Sequence, residues 1–161
     1  MIYQKFYSDH SKTYYLEPHF IKQVGKRWYL LAGDTSLEDH PFKTFGIERI
    51  ISIKHLSKKF KSKTKEAKEL ANNVYGISNY QQKKELVNIE TNHWQGQYFK
   101  TLPIHSSQKV EFLDNDICEI TLFLCINKEL VQHLASQLQS IKIKHPKILI
   151  KKYNDFISQK F

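Results

Sequence analysis

An arginine in an apolar segment is the residue of this chain best suited to bind an anion. Arg49 lies within residues 45–51, which are otherwise mostly apolar. A buried guanidinium without a partner is costly, so this side chain needs a negative group beside it. That group could be a carboxylate of the chain itself, with Glu48, Glu17 and Asp34 as candidates. It could also be the phosphate of a ligand, which arginine binds in a bidentate manner.

Two adjacent aromatic residues could supply a stacking surface. Trp28 and Tyr29 follow one another in a β-prone segment, and neighbours on a strand face opposite sides. One of them is therefore expected in the core, while the other could stack on a base or close a pocket. For Trp28, packing in the core is the favoured interpretation. For Tyr29, a position in the core and a position in contact with a ligand both remain open.

Several polar residues could add to such a site. His19 could donate a hydrogen bond or stack, but no second His, Cys or carboxylate has ligand spacing around it, so no metal site is predicted. Positive or stacking surface could also come from side chains that are more often simply solvated, namely Lys5, Tyr14, Arg27 and Lys43.

A second polar group lies later in the chain. His105 and Ser107 stand in the segment 105–108, just after Pro103. Serine and histidine together raise the possibility of nucleophilic catalysis, but a triad also needs a third group that orients the base. The favoured interpretation is that these residues form a polar segment leading into a strand. The alternative is that they contribute to a ligand cleft between two domains.

Charge and composition narrow the class of protein. The formal net charge of +9, from 25 basic and 16 acidic residues, favours anionic partners such as nucleic acid or nucleotides, although scattered lysines on a basic protein would give the same number. There is no apolar run of membrane-spanning length and no signal peptide, so a cytoplasmic protein without membrane contact is expected. Cys118 and Cys125 stand too far apart on one predicted strand to bridge each other, which fits a reducing compartment.

Known catalytic signatures are missing from the sequence. It contains no Walker loop, Rossmann fingerprint, zinc spacing or nucleophile elbow. Neither a cofactor nor an enzymatic activity is therefore predicted.

The elements that would hold these residues fall into two groups. In the first, short strands with frequent turn signals indicate a small antiparallel barrel over residues 1–56. A bend is expected at Pro18, which cannot donate to a strand ladder, and a turn at Gly25. The expected strands cover residues 2–7, 12–23, 27–32 and 42–55.

A lysine-rich stretch follows the strands. Seven lysines fall between Lys54 and Lys68, and residues 64–73 have helix-forming composition with little apolar face. Residues 57–80 are therefore predicted to form a helical linker, for which a solvated surface without a ligand is the favoured interpretation.

Residues 81–161 follow the order β-α-β-β-α-β and end in a further helix. This order predicts a ferredoxin-like domain and an α+β protein overall. Asn127 is the expected N-cap of the second helix, and a hairpin is expected across residues 114–116. The predicted elements cover residues 86–90, 94–102, 109–113, 117–126, 130–138, 141–145 and 148–161.

Three segments carry a resemblance to a known family. Residues 17–22, 27–30 and 44–50 (EPHFIK, RWYL and TFGIERI) resemble the signature segments of the WYL-domain family of bacterial transcriptional regulators. The resemblance implies an Sm-like five-stranded barrel. Family members commonly have Arg where Gly46 stands and Asp where Glu48 stands. The departure at Gly46 removes one expected anion contact, unless Lys43 or another basic residue substitutes for it.

The second half resembles the C-terminal extension that often follows the WYL domain. The similar stretches are residues 76–77, 102–108, 127–130 and 145–146 (GI, LPIHSSQ, NKEL and HP). Members usually carry a DNA-binding helix-turn-helix before the WYL domain, and no such pattern is present here. The chain is therefore expected to be a piece of a longer regulator, with a free-standing WYL protein as the alternative.

These observations predict a sensor of a nucleic-acid or nucleotide-type anion. The expected partners are single-stranded nucleic acid or a nucleotide, DNA through the missing helix-turn-helix, and a second copy of the chain in a homodimer. The alternative is a dimerisation or protein-interaction module without a small ligand. The ligand-binding residues predicted for the sensor are Arg49, Tyr29, Trp28, His19, Lys43, Tyr14, Lys5, His105 and Ser107.

Overall fold

A computed structural model describes residues 1–78, 80, 82–113 and 116–159. The chain divides into two compact units, Met1–Ala71 and Asn72–Phe161. The division falls inside residues 57–80, for which the sequence predicts a linker. None of the helices in the described ranges has the length and apolar character needed to cross a membrane.

The first unit consists of two open, antiparallel, three-stranded sheets with the orders β2-β1-β6 and β3-β4-β5. These sheets do not form a closed barrel. A 3₁₀ turn, Ile47–Arg49, connects the two sheets, and one helix follows them. The elements are β1 (Ile2–Tyr3), β2 (Lys12–Thr13), β3 (Leu16–Val24), β4 (Arg27–Asp34), β5 (Phe42–Gly46), β6 (Ile50–Ser52) and α1 (Thr64–Ala71).

Local signals explain the long hairpin of β3 and β4. The register of the pair shifts between Pro18 and Phe20, which confirms the expected irregularity at a residue that cannot donate to the ladder. Gly25 adopts φ +58° at the turn, a conformation that glycine reaches without strain. The predicted strand over residues 2–7 was too long, since β1 ends at Tyr3 and Phe6 lies in a turn.

An aromatic group forms part of the core of the first unit. Tyr3, Tyr14 and Phe45 are buried together with Ala32. Their rings meet edge to face, with centroids 5.2 Å apart for Tyr3 and Phe45 and 5.0 Å apart for Tyr14 and Phe45. Such contacts stabilise beyond the area they bury, and they anchor β1 against β5.

The second unit is a four-stranded antiparallel sheet with the order β10-β7-β9-β8. The predicted hairpin is formed by the antiparallel pairing of Lys109–Phe112 with Ile117–Cys125. Asp114 and Asn115 lie outside the described residues, as does the end of the predicted last helix. The elements are β7 (Lys84–Asn92), α2 (His93–Thr101), β8 (Lys109–Phe112), β9 (Ile117–Cys125), α3 (Lys128–Ala135), β10 (Ile141–His145) and α4 (Lys147–Ser158).

Helix caps in this unit follow the sequence signals. Asn127 accepts a hydrogen bond from Leu130 N at 2.8 Å, which confirms the predicted N-cap of α3. The spacing of Trp94, Tyr98 and Leu102 predicted α2 correctly, but these side chains are exposed. The buried face of α2 is Gly96 and Phe99 instead.

The alternating strands and the amphipathic helices share one core. The buried residues of β9 alternate from Cys118 to Leu124, and Leu130 and Leu134 of α3 pack on them with Leu149 of α4. Both cysteines are buried and free. Burying each such side chain contributes about 1.5–3 kcal/mol, so this core holds the helices on the sheet.

Candidate ligand-binding site

The 3₁₀ turn brings Arg49 back over two aromatic rings. Its guanidinium carbon lies 4.9 Å from the ring centroid of Phe6 and 5.4 Å from that of Tyr3. Tyr3 is fixed in turn because its hydroxyl accepts a hydrogen bond from Gly46 N at 3.1 Å. The arginine is therefore held by cation–π contacts to residues of the N-terminal segment.

A second arginine joins this group. The guanidinium carbon of Arg27 lies 5.4 Å from the same Phe6 ring. Glu48 Oε1 is 3.6 Å from Arg27 Nη1 and 3.6 Å from Arg49 Nε. Phe6, Arg27, Glu48 and Arg49 are called the arginine cluster below, and the cluster carries one net positive charge.

The single carboxylate does not satisfy the two arginines. At 3.6 Å the contacts of Glu48 are ion pairs and too long for hydrogen bonds. Arg49 Nε is shielded from solvent and makes no hydrogen bond with any residue that the structure describes. Of the partners considered from sequence, Glu48 is thus the observed one, and it leaves donor capacity unused.

Gly46 makes room for this arrangement. A Cβ atom at position 46 would meet the Nη2 atom of Arg49, and would lie 2.8 Å from its Nε and 2.9 Å from Glu48 Oε1. The packing of Arg49 therefore accounts for glycine at position 46, because the guanidinium of Arg49 occupies the space that a side chain there would need.

Trp28 and Tyr29 lie on opposite faces of β4, as expected, but Trp28 is not a core residue. Its side chain is 50% exposed, whereas Tyr29 is half-buried. Tyr29 pairs with Gly46 across β4 and β5 and shares a face of β4 with Arg27. The core interpretation of Trp28 was wrong, and the register places Tyr29 on the cluster's side of the sheet.

His19 is buried away from solvent and acts as a structural residue in the first unit. Its Nδ1 accepts a hydrogen bond from Lys63 N at 3.2 Å, and its ring meets those of Phe42 and Phe60 edge to face. Burial lowers the pKa of His19, so the imidazole is neutral at neutral pH. These contacts tie the segment before α1 to β3, and none of them joins the arginine cluster.

Three other residues that were predicted to bind a ligand make no described contact with the arginine cluster, namely Lys43, Tyr14 and Lys5. Lys43 Nζ lies 2.7 Å from Asp34 Oδ2 in a salt bridge. Burial would raise the pKa of Asp34, but hydrogen bonds from Lys43 and Ser36 outweigh it and hold that pKa at about 2. Tyr14 is a core residue, and Lys5 is exposed in the turn after β1.

His105 and Ser107 belong to the second unit and bind each other. Ser107 Oγ lies 2.7 Å from His105 Nδ1 and accepts a hydrogen bond from Phe123 N at 2.8 Å. His105 Nε2 lies 2.8 Å from the carbonyl oxygen of Asn72, to which it donates. Both ring nitrogens are thus engaged in tying the loop to β9 and to the start of the unit, and the third group of a catalytic triad is not a carboxylate here.

Sequence reasoning missed Phe6 and gave Arg27 only a minor role. Phe6 is 59% exposed although both arginines lie against it. Its aromatic character three residues after buried Tyr3 was the available signal, but the turn that folds it back is a tertiary feature. Among the described residues, no group of His, Cys, Asp and Glu side chains is arranged to hold a metal ion.

The fold defines a two-unit α+β protein whose first unit is built from small antiparallel sheets. Residues 1–55 match the family model of the WYL domain. The N-terminal part of this chain is therefore similar to the WYL-domain family. No curated protein matches the sequence.

One similar solved structure is the proteasome accessory factor B/C (PafBC) of Arthrobacter aurescens. It is 17% identical to this chain, with a TM-score of 0.38. The likeness covers 94% of this chain and 23% of that one. This chain therefore spans about a quarter of that protein's length, and a TM-score this low transfers neither fold nor function.

Proposed function

We propose that this chain is the ligand-sensing part of a transcription regulator and that its WYL domain binds a nucleic-acid or nucleotide-type anion. The family match over residues 1–55 supports a regulatory domain. The net charge of +9 supports an anionic partner. Its role is regulatory and not catalytic.

The observation that carries the proposal is the unsatisfied donor of Arg49. Its Nε is shielded from solvent and lacks a hydrogen bond within the described chain, while Glu48 lies beyond hydrogen-bonding distance. A buried donor without an acceptor is costly, so a ligand phosphate that displaces the Glu48 side chain would complete the hydrogen bonding of this guanidinium. Arg27, which lies against the same Phe6 ring, could bind the same phosphate or the next one along a strand.

Exposed aromatic rings supply the other half of a nucleic-acid site. Phe6 and Trp28 are 59% and 50% exposed. Bases of a single strand stack on such rings with little sequence preference, at about 1–3 kcal/mol per base. Phe6 is the better placed of the two because it touches both arginines, whereas Trp28 lies on the face of β4 opposite the arginine cluster.

The wider architecture of the regulator follows from the same proposal. The first unit is then a member of the Sm-like class with open sheets, and the second unit is ferredoxin-like, which its strand order supports. The functional domains would be residues 1–56 and 81–161, with residues 57–80 between them. A cytoplasmic homodimer would pass the ligand signal to a helix-turn-helix outside this chain.

Fluorescence anisotropy of a labelled 12-nucleotide oligo-dT tests the ligand class. Wild type is expected to bind with an affinity that falls as salt increases, and Arg49→Ala should weaken binding about tenfold or more. Lys26→Ala is the matched control, since it removes one exposed positive charge beside Arg27. Equal losses in the two variants would mean that general charge accounts for binding, and no binding by wild type would reject the oligonucleotide ligand.

A dimerisation or protein-interaction module without a small ligand is the second candidate, favoured by one surface of the second unit. Trp94, Tyr98 and Leu102 expose 76%, 68% and 79% of their surface on or beside α2. Apolar side chains that share a face in this way often mark protein contacts. Light scattering over a range of protein concentrations tests it, and a dimer that Trp94→Ser dissociates would support this surface.

A further inference from the structure

A cavity in the second unit has properties unlike those of the arginine cluster. Its volume is about 280 Å³, and it lies between α2, the turn that follows α2, and α3. None of the described residues that line it is an acid, a lysine or an arginine. This contrasts with a chain whose overall charge is +9.

One wall of the cavity is a tyrosine–histidine pair. Tyr75 Oη lies 3.0 Å from His133 Nδ1, and the two ring centroids are 4.7 Å apart with an interplanar angle of 37°. Burial raises the pKa of Tyr75 and lowers the pKa of His133. Both groups are therefore neutral at neutral pH, and they offer polar atoms without charge.

Two amides form another part of the lining. Gln95 Nε2 donates to Gln137 Oε1 at 3.1 Å. Each amide has two donors and two acceptor positions, so this single bond leaves both partners with capacity for a ligand. A glutamine amide matches the edge of a nucleobase, where a donor and an acceptor lie side by side.

Apolar and aromatic groups complete the lining. Phe99 is buried, while Tyr98 and Leu102, which also line the cavity, are 68% and 79% exposed. The rings of Phe99 and Tyr98 would hold a flat ligand by stacking, and the polar groups of the lining would fix its orientation.

We propose that this cavity binds an uncharged planar heterocycle of the nucleobase type. Its volume of about 280 Å³ is just below the range of pockets for drug-sized ligands, about 300–1,000 Å³, so it suits a ring system and not a whole nucleotide. A phosphate would find no charged partner in the lining and would lose its hydration. This inference does not rest on the function proposed for the first unit.

Saturation-transfer NMR on the full chain with adenosine, cytidine and uridine tests the proposal. Stronger transfer to base protons than to ribose protons is expected for at least one nucleoside. The double variant Gln95→Leu/Gln137→Leu should weaken that binding about fivefold or more. Gln132→Leu, on the exposed side of α3, is the matched control and should bind as wild type does.

A second measurement uses only the wild-type protein, so its result does not depend on whether the double variant folds. Amide chemical shifts should move for Tyr75, Tyr98 and His133 when the nucleoside is added, and shifts in the first unit should stay in place. Absence of transfer to all three nucleosides, or shifts confined to other residues, would overturn the proposal. Equal binding by wild type and the folded double variant would overturn it too.

Discussion

Two cation–carboxylate pairs in the first unit differ in how completely they are satisfied. Lys43 lies 2.7 Å from the buried Asp34, which also binds Ser36. Arg49 lies 3.6 Å from the half-exposed Glu48 and keeps a buried Nε without a hydrogen bond among the described residues. A cation whose partner is close and buried serves the fold, whereas one whose partner is distant has binding capacity left for a ligand.

The largest expected effect is a difference in the free energy of unfolding between two variants, each of which lacks the carboxylate of one pair. Asp34→Ala should lower the free energy of unfolding by about 2–3 kcal/mol, because charged hydrogen bonds to a buried group are lost. Glu48→Ala should cost less than about 1 kcal/mol, as is usual for exposed pairs. Urea denaturation at pH 7 measures both. Similar losses in the two variants would contradict the distinction between the pairs.

Acid should weaken the Asp34 pair in a defined range. The pKa of Asp34 is about 2 in the folded chain against an ordinary value of 3.8, so its contribution to stability is fully present well above pH 3.8. It falls as the pH drops and is lost below pH 2. We expect about 2.5 kcal/mol at pH 7 and about half of that at pH 3.

The check is a comparison of wild type with Asp34→Asn by urea denaturation at both pH values. The stability gap between the two proteins should narrow from pH 7 to pH 3. A gap that stays constant, or widens in acid, would mean that Asp34 is not stabilised as a carboxylate.

A methyl group at position 46 should disturb the arginine cluster with little effect on the fold. The backbone of Gly46, at φ −68° and ψ 126°, is open to any residue, so Gly46→Ala strains only the side chains of Arg49 and Glu48. We expect oligo-dT affinity to fall about fivefold, equivalent to about 1 kcal/mol, while the unfolding midpoint changes little. Gly25→Ala, at a positive φ, is the contrasting variant, because it should lower stability and leave affinity unchanged.

Neutralising the carboxylate of the cluster should have the smallest effect, in the opposite direction. Under the proposed function, Glu48 would compete with a phosphate for both arginines, so Glu48→Gln should raise oligo-dT affinity about two- to threefold at low salt. The gain should shrink at high salt, where screening weakens the contribution of an exposed charge. Weaker binding by Glu48→Gln would mean that Glu48 positions the arginines and does not compete with the ligand.

Local features of the sequence predicted most of the secondary structure. The N-cap at Asn127 and the irregularity at Pro18 are confirmed because each depends on a residue's own hydrogen-bonding groups. The arginine in an apolar segment was recognisable for the same reason, since its charge demands a partner wherever it lies. The exposure of Trp28 was not predictable. Strand alternation places Trp28 and Tyr29 on opposite faces of the strand but does not determine which face is buried.

The sequence by itself determined the kinds of residue present and their local geometry, namely the strands, the helices, their caps and the surplus of positive charge. Only the tertiary structure decided which cation is engaged. Lys43 meets Asp34 through the register of β5 on β4, and Arg49 meets Phe6 because a turn after β1 returns the chain to the 3₁₀ turn. The reason is physical: pairing energy depends on distance and burial, and both arise only when segments remote in sequence pack together.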